Sequence, residues 1–494
     1  AISSRLVDEL KIALITDSAQ SVTGLEKIEP GQSLAAGLMK VIPQEYTNVS
    51  CCHIDIELSN PQISLSDTVY NLKTELRLEM ANKAVAYRGQ HRWIETFEPV
   101  RLPESEASQI RLREEGTYLI TSGLQGIVNC LATHLAKQWQ AKLAIIEPDT
   151  FPHANEWQSW LQTHELEDET SLEIRKLQAI KQIVPDVLII NADVQDVVSM
   201  KTAIQQISIQ LGCLNGVFYT SAISEDEPFK PIQEITQAGY ESYFQQKGQG
   251  LMCLQNILQD QTLDFCLLSS SLSSIVGGIG MASHVVINTF IDAVARHQYH
   301  LGAVPFTSIN WDGWHLAAAD SQQTVLGAKL ADFEMSTDEW LTALERILSF
   351  RTGHQLAVST GNLQARLNQS RHKKSETQSS SKSDGSLHAR PTLNNDYVAP
   401  VSEIEKKLAV IWQSILGIET VGIQDNFFDL GGDSLLAVQL LSQVRQNFPV
   451  ELPLQQLLFD YSNIEKLAIA IEEVLLQNLE QMSDEDAKAL LAML

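Results

Sequence analysis

The sequence predicts an α/β fold, a doubly wound parallel sheet, joined through a polar linker to a small all-α four-helix bundle. Three observations predict it. Short, continuous apolar runs alternate with helical periodicity over roughly the first 360 residues. A stretch rich in Ser, Lys, Gln and Asn, Gly361 to Pro400, breaks that pattern. Beyond it the periodicity is helical throughout.

The elements follow in order. Residues 1–112 hold strand-like runs at Lys11-Ile-Ala-Leu-Ile15 and Cys52-His-Ile-Asp-Ile56, too few to settle whether this is a complete domain. Next come Thr117-Tyr-Leu-Ile-Thr121, Lys142-Leu-Ala-Ile-Ile146, Asp186-Val-Leu-Ile-Ile190, Gly216-Val-Phe-Tyr219, Leu263-Asp-Phe-Cys-Leu-Leu268 and Phe306-Thr-Ser-Ile-Asn310. Such runs are continuous, not alternating, because helices cover both faces of a parallel sheet. Ile127 to Trp139 and Val198 to Leu211 carry the helical period, and strand–helix–strand repetition implies right-handed crossovers. The segment 361–400 is too polar to offset its ordering entropy, so it reads as a flexible linker. Amphipathic stripes at Ser402–Leu416, Ser434–Phe448 and Asn463–Leu475, with a short element near Pro453–Phe459, give the bundle. Ser483 and Asp486 stand at capping-box spacing before Leu490, Leu491 and Leu494, so a separate terminal helix is expected.

Charge and composition exclude several function classes. Among 494 residues, 61 acids oppose 35 bases, a net −26. That charge repels a phosphate backbone and an anionic membrane surface, so neither nucleic acid nor membrane is an expected partner. No run approaches the roughly 18 apolar residues of a membrane span. Residue 1 is Ala and no basic–apolar leader follows, so an excerpt of a longer cytoplasmic chain is expected. The six cysteines form no CxxC pair and are expected as small buried hydrophobes in a reducing compartment; no metal site is expected.

The most specific string is Asp425-Asn-Phe-Phe-Asp-Leu-Gly-Gly-Asp-Ser434-Leu435. Gly431 and Gly432 permit a tight turn with room for a modifying enzyme. Ser434 would open a helix whose N-terminus suits a phosphodiester. The string, with Trp412 and Leu416-Gly417 around it, resembles the attachment site of acyl and peptidyl carrier domains in modular polyketide and nonribosomal peptide synthases. The resemblance implies 4′-phosphopantetheine on Ser434, a phosphopantetheinyl transferase as partner, and a carrier domain at 401–476.

Upstream, Leu112-Arg-Glu-Glu-Gly-Thr-Tyr-Leu-Ile-Thr121, Ala192-Asp-Val194, Asp264-Phe-Cys-Leu-Leu268 and Asn310-Trp-Asp-Gly-Trp314 make residues 113–360 similar to the catalytic half of a polyketide synthase ketoreductase domain. That family has a Rossmann-like fold of the short-chain dehydrogenase type. Through Val85-Ala-Tyr-Arg88 the likeness extends over 1–112, which resembles the family's structural subdomain with its beginning missing. The family's loop Thr-Gly-Gly-Leu-Gly-Gly-Ile-Gly is here Thr121-Ser-Gly-Leu-Gln-Gly-Ile-Val128. Glycines let the backbone turn and approach a pyrophosphate. Gly123 and Gly126 remain, while Val128 is expected to sit where phosphate meets the helix. Pro148, between Glu147 and Asp149, stands where the family places an Arg for the 2′-phosphate of NADPH. The family's His-Ala-Ala-Gly is Tyr219-Thr-Ser-Ala222; Asp193, matching the adenine-side Asp, survives.

The resemblance maps the catalytic tetrad onto Lys247, Ser271, Asn288 and, in place of the Tyr acid, His284. A histidine nitrogen reaches less far than a tyrosine hydroxyl, and a displacement of about 1 Å costs on the order of 100-fold. A nearby Lys also favours neutral imidazole, the wrong state for an acid. The resemblance therefore implies the C-terminal part of a modular type I polyketide synthase, whose degenerate ketoreductase domain neither binds NADPH nor reduces. The alternatives are an NADPH-dependent β-ketoacyl reductase using His284 as acid, and a pocket that gates partner docking. Upstream synthase domains are expected partners, with a downstream subunit engaged through the acidic terminal helix, 477–494.

Overall fold

The computed structural model describes residues 10–46, 48–58, 63–78, 84–102, 110–165, 168–220, 230–302, 304–313, 335–350, 353–368, 388, 390–391, 393, 395, 397–427, 429–430, 434–448, 450 and 461–481. It divides into a large α/β unit and a smaller unit holding the C-terminal helices.

The α/β unit opens with a four-stranded sheet in the order β1 (Leu10–Asp17), β2 (Val49–Ile56), β3 (Ala84–Arg88), β4 (His91–Ile94). The first three strands are parallel; β4 returns antiparallel through a turn at Gly89, whose φ of +59° favours glycine. Helices α1 (Ser33–Glu45) and α2 (Leu65–Arg77) connect the parallel strands. Arg88 bridges Glu26 (2.8 Å) and Asp55 (2.6 Å), with all three side chains buried.

A seven-stranded parallel sheet follows: β5 (Thr117–Ile120), β6 (Lys142–Glu147), β7 (Val187–Asn191), β8 (Leu214–Tyr219), β9 (Phe265–Ser271), β10 (Phe306–Trp311) and β11 (Gln355–Ala357). The order β7-β6-β5-β8-β9-β10-β11 is doubly wound, with the switch between β5 and β8. Alternation within strands sends residues to opposite faces. Tyr118, Ile120, Leu143 and Ile145 pack under α3 (Ile127–Trp139) and α5 (Glu169–Ile183), which follows the short α4 (Trp157–Thr163). Leu119, Ala144 and Ile146 face α6 (Val197–Gln210), and α8 (Gly250–Leu258), which continues α7 (Gln237–Phe244), packs into the same core. Each such aliphatic, fully buried, contributes about 1.5–3 kcal/mol. The short α9 (Ser273–Val276) leads to α10 (Ala282–Leu301), sandwiched between sheet and α1; α11 (Thr337–Ser349) covers the other face. A Cβ on Gly37 of α1 would lie 2.8 Å from Val286 Cα, so glycine sets how closely α1 and α10 approach.

In the smaller unit, α12 (Glu403–Leu416), α13 (Ser434–Asn447) and α14 (Ile464–Gln481) enclose Trp412, which packs edge-on against Phe427. α12 begins with a full capping box, Ser402 and Glu405, and ends at Gly417 with φ +68°.

Several expectations change. The linker expected over 361–400 is ordered at both ends: Leu367 is buried against Leu272 and Ile275, and Leu393 and Val398 pack on the helical core. α14 runs unbroken across the boundary expected at 476, to Gln481. Cys213 is exposed in the turn before β8 and Cys130 half-buried; the other four cysteines are buried. The element near Pro453–Phe459 and the helix expected from Ser483 lie outside the described residues. Among the described residues no helix is long and apolar enough to cross a membrane.

Candidate functional site

In a doubly wound sheet, ligands bind at the switch point, beyond the carboxyl ends of the strands. Here that point lies between β5 and β8, and side chains stitch it together. Thr121 Oγ1 donates to Thr220 O (2.8 Å), Thr220 N–H donates to Thr121 Oγ1 (3.1 Å), and the Ser122 and Thr220 hydroxyls meet at 2.8 Å. Gly126 caps α3 with φ +54°. Val128 departs from expectation: its side chain is buried in the core under α3, so it spaces helix from sheet and does not stand in a phosphate's place.

Gly123 has a different reason to be glycine. A Cβ there would lie 2.8 and 2.9 Å from the two Glu147 carboxylate oxygens and 3.1 Å from Glu173 Oε1. Glu147 ends β6 and is 3% exposed; Glu173, on α5, accepts from the Leu124 N–H. Burial and the neighbouring Glu173 charge raise the Glu147 pKa, and burial raises that of Glu173. Burial and close like charge therefore both favour a proton on the pair. Sequence reasoning used Glu147 only as local charge and missed Glu173, which lies on another helix. Pro148 and Asp149 are exposed beside the loop. Asp193 is also exposed, its Oδ1 accepting from the Gln195 N–H at 2.9 Å. Ser221 and Ala222 lie outside the described residues.

Three of the four tetrad positions converge. Lys247 lies in a widened π turn, Gln245–Gln249, between α7 and α8; its Nζ sits 4.7 Å from the centroid of the Tyr243 ring. Burial lowers its pKa to about 8. Tyr243 Oη lies 3.1 Å from His284 Nδ1. Burial, with the Lys247 charge second, pushes the His284 pKa down to about 3, so the ring is neutral at neutral pH. Asn288 Nδ2 donates to His284 O at 2.8 Å, one turn back on α10. Ser271 ends β9, and its Oγ accepts from the Ser273 N–H (3.2 Å) and hydroxyl (2.9 Å). Tyr243 was missed by sequence reasoning; its signal was a Tyr four residues before Lys247 on a helical stretch. A neutral imidazole keeps one N–H but is a weak general acid.

The loop 273–281 beyond Ser271 is held by α1. Gln44 Nε2 donates to Val276 O (2.8 Å), Glu45 Oε1 accepts from the Gly280 N–H (3.0 Å), and Lys40 Nζ donates to Ser274 O. In the smaller unit, α13 begins at Ser434, as expected, and Phe427 and Leu430 are buried in the core. Gly431, Gly432, Phe428 and the Ser434 side chain lie outside the described residues.

A doubly wound sheet with a switch-point loop, followed by helices of which one starts at the serine of an attachment string, defines a class: a reductase-type domain joined to a carrier domain. The sequence profile of the KR domain matches residues 116–316, and that of the phosphopantetheine attachment site matches residues 406–471. The chain thus carries both domains, and its homologues are polyketide synthases. It is 24% identical over 447 residues to polyketide synthase PksL of Bacillus subtilis, covering 88% of this chain and 9% of that protein. It is 24% identical over 482 residues to 6-methylsalicylic acid synthase of Penicillium patulum, covering 94% of this chain and 26% of that protein. The chain therefore spans about a quarter or less of these relatives. A ketoreductase domain from the bacillaene assembly line shares the fold, with a TM-score of 0.57 at 23% identity, over 73% of this chain and 80% of that one.

Proposed function

We propose that this chain is a stretch of a polyketide synthase in which a KR domain that neither binds NADPH nor reduces stands beside a working carrier domain. The carrier holds the acyl chain as a thioester on 4′-phosphopantetheine at Ser434, and the β-keto group passes on unreduced. The observation that carries the reading is the carboxyl pair behind Gly123. Glu147 and Glu173 fill the space behind the loop that a dinucleotide would approach, and Asp149 adds charge beside Pro148. These residues do not fit a 2′-phosphate. The neutral His284 supports the same reading.

On this reading Lys247, Asn288 and Ser271 persist as structural residues, and Gly123, Gly126 and Asp193 are remnants of a dinucleotide site. The partners are a phosphopantetheinyl transferase, upstream synthase domains in the cytoplasm, and a downstream subunit engaged through residues 477–494. A second reading, an active reductase, draws on the Tyr243 hydroxyl, placed to resupply a proton to His284.

NADPH titration followed by fluorescence separates the two. Micromolar binding, or turnover of a β-ketoacyl thioester, would overturn the inactive reading. For the carrier, intact mass after incubation with transferase and coenzyme A should show one added arm. An arm still gained by Ser434→Ala would refute the site.

A further inference from the structure

We propose that Arg390 is a positioning residue for the carrier's attachment string, and that His388, Arg390, Asn395 and Val398 belong to the carrier unit. The inference rests on the carrier reading above and deepens it.

Asp425 opens the string and its side chain is wholly buried. Its carboxylate accepts from Arg390 Nε at 2.8 Å and Nη2 at 2.5 Å, Asn395 Nδ2 at 3.0 Å and the Gly422 N–H at 2.8 Å. Arg390 Nη2 also donates to Asn395 O (3.2 Å), and Asn395 Nδ2 to Gln424 O (3.1 Å). Main-chain bonds run on both sides of this fork. His388 N–H donates to Gly417 O (2.7 Å), Glu419 N–H to His388 O (2.8 Å), and Ile423 N–H to Val398 O (2.9 Å). The upstream segment thus grips the loop that joins α12 to the string.

An exposed ion pair is worth at most about 1 kcal/mol. This one differs because Asp425 is buried and the guanidinium meets it with two parallel N–H groups. Two residues on, the Phe427 N–H donates to Ser462 O at 2.8 Å and its ring rests on Trp412. Arg390 and the core therefore fix Asp425 and Phe427, the first and third residues of the string. Without Arg390 the carboxylate is left buried with too few donors, and relief requires the loop to move toward water.

The loop's place matters to the transferase. The Ser434 oxygen bonds the phosphorus that carries pantetheine, the phosphoanhydride of coenzyme A breaks, adenosine 3′,5′-bisphosphate leaves, and the hydroxyl proton passes to the transferase's base. A shift of about 1 Å in such an encounter costs on the order of 100-fold.

The test uses the full chain, a phosphopantetheinyl transferase and coenzyme A, with initial rates read by intact mass. The temperature is one at which circular dichroism shows each variant fully folded. Arg390→Gln should lower kcat/KM about tenfold, chiefly through KM, and Arg390→Lys should recover only part of it, since an ammonium cannot make the fork. A merely structural Arg390 would lower the melting temperature and leave the folded protein's kcat/KM within about twofold of wild type; that result overturns the proposal. If Arg390→Gln does not fold, Arg390→Gln/Asp425→Asn, which removes the unpaired charge, carries the same expectation. A wild-type chain that takes no arm sinks the carrier reading itself; equal modification of wild type and variant sinks only this one.

Discussion

Replacing Glu147 by glutamine should stabilise the α/β unit at neutral pH, increasingly so as pH rises. Glu147 and Glu173 converge within about 3 Å of the same point beside Gly123, at 2.8 and 3.1 Å respectively. Two charges about 4 Å apart at an effective dielectric of about 20 repel by about 4 kcal/mol, about three pKa units. The fold therefore holds a proton that the unfolded chain releases near pH 4.5. A carboxyl whose folded pKa is raised favours the folded state below its unfolded pKa. It loses that advantage as pH climbs toward the folded pKa, at about 1.4 kcal/mol per pH unit for one proton. Glutamine keeps the shape, donates an amide N–H to Glu173 and cannot ionise. The stability difference between Glu147→Gln and wild type should therefore grow by about 2–3 kcal/mol between about pH 5 and pH 7. Urea unfolding of both proteins across that range, followed by tryptophan fluorescence, measures it. Titrating groups outside the Glu147–Glu173 pair cancel in the comparison. Parallel stability curves would show that the pair holds no shared proton and would remove the main support for a closed dinucleotide cleft.

Three further outcomes follow from buried contacts. Trp412→Ala should cost about 3–5 kcal/mol and unfold the carrier unit, read as lost helical circular dichroism and lost modification at Ser434. Arg88→Met should cost about 3–5 kcal/mol by stranding Glu26 and Asp55. Burial alone would raise the Glu26 pKa, but the Thr23 backbone and Arg88 hold it down to about 2. That stabilisation is complete above about pH 4.5 and lost as pH falls toward 2, so urea midpoints of wild type and variant should converge in acid. Gly37→Ala should cost about 1–3 kcal/mol, since α1 must withdraw from Val286, and should raise hydrogen exchange in the loop 273–281 that α1 holds.

Much of this architecture was legible because its signals are local. Runs such as Lys142–Ile146 and Asp186–Ile190 mark buried parallel strands to within a residue of β6 and β7. The start of α13 at Ser434 was legible from a contiguous string. What was not legible involves partners distant in sequence. Glu173 reaches Glu147 across 26 positions and Arg390 reaches Asp425 across 35, and no periodicity or spacing announces either pair. The linker's ends were misjudged for the same reason. The stretch 388–398 has no apolar period of its own, and the contacts of His388, Arg390, Asn395 and Val398 are with partners distant in sequence.

On the proposed inactive reading, Val128 shows how a fold can outlive its chemistry. As a glycine, this position would let α3 approach β5 and a phosphate approach α3, at a cost of about 1 kcal/mol in helix propensity. As valine it buries its side chain in the core and forgoes that cost. His284 keeps its place in α10 by bonding Tyr243, and Asn288 by bonding the carbonyl of His284. The strings that carry the family likeness are tied into structure in the same way. Asn310 Nδ2 donates to both Asp292 oxygens (2.9 and 2.8 Å), and Asp312 pairs with Arg366. On the proposed reading, a substitution such as Val128 is neutral or favourable to folding once the loop need not approach a phosphate. On that same reading, a domain under selection for its place in a larger assembly can lose cofactor and acid while the strings that identify it remain.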